Sequence, residues 1–232
     1  DVLDAELTAA RAAELDARLA ETPSTREVLG AVQERSPLLW TRRPEHTGFL
    51  TVRLGTAELP SRTAVEAAPA ELPRDARAPF DALVARHRGL PGAPVAVGLE
   101  DDGGIGIAGA AEVVAPVLDG VLAQLVGLHA PSEVVVAALV SPDWERPLDW
   151  LPWVPHVAPA ASPLGATPHI AATAAEGEAL LAALERLIES RGGPPRPRGR
   201  LPDGALDRPE SRERLRESSP RRLPVVVLVV SA

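Results

Sequence analysis

Two aliphatic runs, VVVAALV from Val134 to Val140 and VVVLVV from Val225 to Val230, constrain the fold more than anything else in this chain. A strand with one wet face alternates apolar and polar residues, whereas a strand covered on both faces reads as an unbroken apolar run. Such runs belong to the middle of a parallel sheet, whose strands must be joined by crossovers, usually helices. The intervening sequence supplies them. Helical patterns over 111–128 and 176–190 separate extended segments at 95–99, 104–108, 133–140, 169–173 and 223–230. The expectation is an α/β chain with a largely parallel sheet flanked by helices.

Upstream, residues 1–22 are rich in Ala, Leu, Glu and Arg, with Leu3, Leu7, Leu15 and Leu19 at roughly helical spacing. They read as an amphipathic arm that either lies on the body or acts as a stalk to a preceding segment. Ser24–Thr25–Arg26–Glu27 has capping-box spacing and predicts a helix over 25–34. A strand at 49–54 and a helix near 78–88 follow. The domain reading is an arm over 1–36 and an α/β body over 37–232. Residues 191–222 hold ten arginines against five acids and many prolines, and read as a flexible insertion.

Composition removes several function classes. The chain has 232 residues and a formal charge of -8, which argues against a surface made for nucleic-acid phosphates. It has no cysteine, so disulfides, thiolate metal sites and thiol nucleophiles are absent; it also has no lysine, asparagine or tyrosine. That bias, with abundant Ala, Arg, Gly and Pro, suits a GC-rich genome. His46, His87, His129, His156 and His169 are scattered without ligand spacing, so no metal site is expected. No apolar run approaches the ~20 residues of a membrane span, and no signal peptide is visible. The start at Asp1 without methionine reads as a soluble fragment of a longer chain.

The stretch GGIGIAGAAEVV, Gly103–Val114, runs through glycines towards a helix, as phosphate-binding loops do. Gly104 and Gly109 have the spacing of G-x-x-x-x-G-K-[ST], but Ala110 and Ala111 occupy the lysine and hydroxyl positions. Counting from Gly109 instead puts Ala115 and Pro116 there. Neither register supplies an ammonium for the phosphates or a hydroxyl for Mg²⁺, and Glu112 adds a carboxylate to the helix's first turn. A structural turn is the favoured reading. Trp144, Trp150 and Trp153, with Asp149 and His156 interleaved, form either an aromatic partner surface or a packed loop. Trp40 with Arg42, Arg43 and Pro44 could clamp carboxylates of an adjacent subunit or of the arm, or orient the arm by packing. His129, at a helix end, reads as a cap on carbonyls.

The stretch LWTRRPEHTGFLTVRLG resembles the EccC-type ATPases of type VII (ESX) secretion, built from FtsK/SpoIIIE-like modules, whose form is LW-x-RRP-x-x-x-x-FL-x-[VL]R-[VL]G. Leu39, Trp40, Arg42, Arg43, Pro44, Phe49, Leu50, Val52, Arg53, Leu54 and Gly55 meet it. PVAVGL, VLAQLVGLHAPSEVVVAALV and WERPLDWLPWVPH are similar to later family segments, with Ala130 and Ser132–Glu133 departing from the pattern. LPVVVLVVSA resembles the family's Walker B strand, with Ser231 where its aspartate would sit. The resemblance implies a RecA-like P-loop-type fold and a membrane-proximal, degenerate ATPase domain. It further implies a soluble piece of a membrane-anchored motor at the cytoplasmic face of the membrane. Partners would be other modules of the same chain and other secretion components, with a ring oligomer in the full assembly. No cofactor is expected; ATP and Mg²⁺ enter only if arginines such as Arg35, Arg42 and Arg43 replace the missing lysine. The remaining alternative is a stand-alone peptide-binding module using the tryptophan loop.

Overall fold

A computed structural model describes residues 2–63, 74–144, 148–158, 160–192 and 224–231. The Arg/Pro-rich stretch over 193–222 lies outside the described residues, as do 145–147 of the tryptophan segment. The chain divides into two compact units, Asp1–His129 and Ala130–Ala232. Residues 1–36 therefore pack within the first unit.

In the first unit, α1 (Val2–Glu21) is followed by α2 (Thr25–Glu34). The expected capping box is present: the Ser24 hydroxyl accepts from the Glu27 N–H, and the Glu27 carboxylate accepts from the Ser24 N–H at 2.7 Å. Strand β1 (Thr51–Pro60) pairs antiparallel with β2 (Gly89–Gly98), from Thr51 opposite Gly98 to Pro60 opposite Gly89. Irregularities at Arg53/Gly55 and Ala57/Leu59 break the ladder. Helix α3 (Arg74–His87) connects the two strands, a short α4 (Leu99–Asp102) follows β2, and α5 (Ala111–Leu128) closes the unit.

The segment 104–108 corrects one expectation. It joins no ladder among the described residues, and 95–98 lies within an antiparallel hairpin rather than a parallel sheet, with Leu99 starting α4. Gly104 and Gly109 take φ values of 150° and 156°, which L-residues rarely adopt, so the glycines break the strand geometry that the isoleucines favour.

Helix α5 is the core of this unit. Val114, Val121, Leu122, Leu125 and Leu128 are buried along it, and α2 packs on it through Val28 and Ala31. The approach is close because Gly127 faces Val28: a Cβ at Gly127 would fall 2.4 Å from Val28 Cγ1. Among the described helices, α5 alone has the length and apolar composition of a membrane span.

In the second unit, β3 (Val134–Leu139) is central, with parallel neighbours β4 (Ile170–Ala171) and β5 (Val225–Val230) on either side. Helix α6 (Ala174–Arg191) starts with a second capping box, Thr173 with Glu176. Ala137, Leu164, Ala171, Leu180 and Ala183 form the buried cluster beneath it. The two aliphatic runs have different fates. Residues Val134–Ala138 are completely buried, whereas β5 is an edge strand with Leu228 and Val230 exposed. With three strands among the described residues, one has neighbours on both sides.

Candidate functional site

The glycine turn comes first. Gly103 ends α4 in the left-handed conformation (φ 74°), the chain runs extended through Gly104, and Ala110 stands at the N-cap of α5. No side chain caps that end; the Ala110 carbonyl accepts from the Val113 and Val114 N–H groups at 2.9 and 3.0 Å. The only charged side chain in the first helical turn is Glu112, opposite in sign to what a triphosphate requires. Ala110 and Ala111 contribute methyl groups alone.

The other end of α5 explains the Trp–Arg stretch. The last four carbonyls of a helix have no partner within it. Here Val126 receives the Trp40 indole N–H at 3.1 Å, Gly127 the Trp40 amide at 2.9 Å, and Leu128 the Arg42 amide at 2.8 Å. Leu125 receives Nδ1–H of His129 at 2.9 Å, and Nε2 of the same ring accepts the Leu50 N–H at 3.0 Å. This fixes His129 as the Nδ1–H tautomer. Phe49 stacks edge-on against that ring, with centroids 5.2 Å apart. Trp40 and Leu50 both hold positive φ, 57° and 56°, a strained state for side chains of this size. Arg42 donates its guanidinium to the Glu21 carbonyl at the end of α1, and burial pulls the Arg42 pKa below its ordinary value. Trp40, Arg42, Phe49 and Leu50 thus assemble a helix cap, and Arg42 meets the arm's backbone rather than a carboxylate. Arg43 donates its amide to Nδ1 of His46.

Sequence reasoning missed Gln124. Its buried amide accepts the Arg53 N–H at 2.8 Å and donates to the Arg53 carbonyl at 2.9 Å, taking the place of a neighbouring strand beside the β1 irregularity. It also donates to Thr25 Oγ1 at 3.0 Å, tying β1, α2 and α5 together.

In the second unit, Trp144 ends one short helical turn (Pro142–Trp144) and Trp153 another (Leu151–Trp153). Leu148, Leu151 and His156 are buried while Trp153 is 87% exposed, so the loop packs on its leucines and histidine and presents one indole outward. Trp144 and Trp150 are half-buried. Ser231 lies just past β5. Its hydroxyl accepts the Ser141 N–H at 2.9 Å, and its amide donates to the Leu139 carbonyl at 3.1 Å. A further pair, unforeseen from sequence, is Ser162 Oγ with His169 Nε2 at 2.6 Å. Burial lowers the His169 pKa, and the Ser162 hydroxyl also accepts the Leu164 N–H at 3.1 Å, so the pair staples a turn. Beside it lies an open cavity of about 690 Å³ between the turn and α6, lined by Leu164, Ala183, Leu187 and Arg186 among others. Among the described residues, no three His, Asp or Glu side chains converge on a metal-sized site.

No family model matches the chain. It is 34% identical over 153 residues to the ESX-4 secretion system protein EccC4 of Mycobacterium tuberculosis, covering 63% of this chain. It is 31% identical over 131 residues to the ESX secretion system protein EccC of Thermomonospora curvata, covering 52%. A third relative, EccC of Geobacillus thermodenitrificans, is 26% identical over 141 residues, covering 58%. Over more than half its length the chain is EccC-like. It matches only 12%, 10% and 9% of those relatives' own lengths, so the EccC-like part corresponds to a small piece of each.

Proposed function

We propose that this chain is a non-hydrolysing, RecA-like coupling domain of a type VII secretion ATPase, joining a membrane segment to downstream ATPase modules. The observation that carries the reading is the loss of both charged landmarks of nucleotide chemistry. The chain contains no lysine, and at the Walker B position a serine hydroxyl is spent on the Ser141 amide. Phosphoryl transfer is catalysed mainly by positioning and by charges that balance the terminal phosphate. Alanines at 110 and 111 and a bonded hydroxyl at 231 provide neither. Arg42, a candidate substitute cation, is committed to the Glu21 carbonyl.

The test is thermal unfolding with and without millimolar Mg-ATP, together with phosphate release. A ligand at ~100 times its Kd adds about 2.7 kcal/mol, which a chain of this size registers as a clear rise in melting temperature. The expected result is no shift and no phosphate. A shift accompanied by turnover overturns the reading.

Trp153 favours a second reading, a peptide-binding surface on the tryptophan loop, because an indole 87% exposed is uncommon outside interfaces.

A further inference from the structure

The docked side of α1 is unusual in what it is made of. Its least exposed residues recur as Asp4, Leu7, Arg11, Glu14–Leu15 and Arg18–Leu19, a stripe in which four of the seven side chains are charged, and the one buried residue among them is Arg18. Each charge has a partner on the hairpin, on α3 or on the residues that follow β1. Asp4 meets His87 Nε2 at 2.7 Å and Arg86 at 3.2 Å. Arg11 donates to the Gly89 carbonyl and approaches His87 Nδ1. Glu14 binds Arg18 at 2.6 Å and accepts from the Arg62 amide and the Ser61 hydroxyl. Arg18 reaches the Pro60 carbonyl at 2.8 Å, and Glu21 pairs with Arg62 through both oxygens.

The ion pairs Asp4–Arg86 and Glu21–Arg62, which cross from α1 to its neighbours, are exposed, and exposed pairs weaken as the Debye length falls to about 3 Å in 1 M salt, whereas apolar seams do not. The helix itself is rich in Ala, Leu, Glu and Arg, so it has little need of the seam to remain helical. At its base the Arg53 guanidinium holds the Thr22 carbonyl at 3.2 Å and Arg42 holds that of Glu21, which fixes a pivot independent of the stripe. We propose that α1 is a releasable arm, latched to the β1–β2 hairpin and α3 by ionic and hydrogen-bonded contacts and free to swing about Thr22–Ser24 while the rest of its unit stays folded. This conclusion stands whether or not the secretion reading does.

The absence of cysteine makes the test direct. Nitroxide labels on Ala10→Cys and Ala57→Cys report the distance between arm and hairpin; labels on Leu29→Cys and Ala57→Cys report the body alone. In low salt the arm distance is expected to be single and narrow. In 1 M NaCl the displaced population should rise roughly three- to tenfold, with the reference distance and the far-UV helical signal unchanged. Glu14→Gln, which keeps the shape and removes the charge, should displace the arm already in low salt. An arm distance that stays narrow in both salts and in Glu14→Gln overturns the proposal. Simultaneous broadening of both distances overturns it too, since the arm would then leave only with the whole unit.

Discussion

Gly127 is the residue at which the first unit is least forgiving. A methyl group there would meet Val28 Cγ1 at 2.4 Å, across two helices that are both held by caps. Gly127→Ala should therefore cost about 1–3 kcal/mol, the usual range for overpacking, as read from urea unfolding. Adding Val28→Ala should return part of that loss, and a double variant no better than the single would show that the clash lies elsewhere. In the sequence this glycine is one of two in an apolar helix, and nothing marks it. Gln124 was equally silent, since a lone glutamine on a helix gives no hint that it will stand in for a strand. The Ser24–Glu27 cap and His129 were legible because their partners are local, three or four residues away.

Among the elements, helices with strong periodicity or end signals came through well: α2 and α5 match their expected spans, and α3 and α6 differ mainly at their ends. Strand partners did not, because periodicity says nothing about which strand lies alongside. Thus 95–98 became part of an antiparallel hairpin, and among the described residues 104–108 found no ladder and the second aliphatic run took an edge. For α1, leucine spacing gave the helix but not its manner of docking, which is written in the intervening charges. Acid provides a check. Burial would by itself raise the Glu14 carboxyl, yet the Arg62 amide, the Ser61 hydroxyl and Arg18 outweigh it and hold it below the ordinary glutamate value. A carboxyl depressed in the folded state stabilises it above the unfolded pKa, and that contribution disappears as pH falls through the folded value. Asp4 is lowered in the same sense by its bond to His87, and Glu21 by Arg62. Amide exchange in the arm should therefore accelerate below the usual carboxylate range before that of α5 does. Equal acceleration in both helices would refute this.

At the scale of the whole chain, resemblance located it while physics restricted it. The EccC-like stretch points to secretion machinery, and the lack of any lysine in the sequence is what the proposal of a non-hydrolysing domain rests on. Adding one charge is an informative experiment. Ser231→Asp should leave phosphate release at background, because an acid at the strand end still lacks a cation for the phosphates; measurable turnover in that single variant would mean that another group supplies it. The stretch from Leu39 to Leu50, in contrast, carried a family resemblance in sequence but shows its purpose only in three dimensions. It finishes a helix.

That finish joins two ends. Through its amide Arg42 holds the last carbonyl of α5, and through its guanidinium that of α1. A displacement of the last turn of the first helix would therefore reach, through one residue, the terminus of the helix on which the first unit is built, much as a crankpin passes motion from rod to shaft.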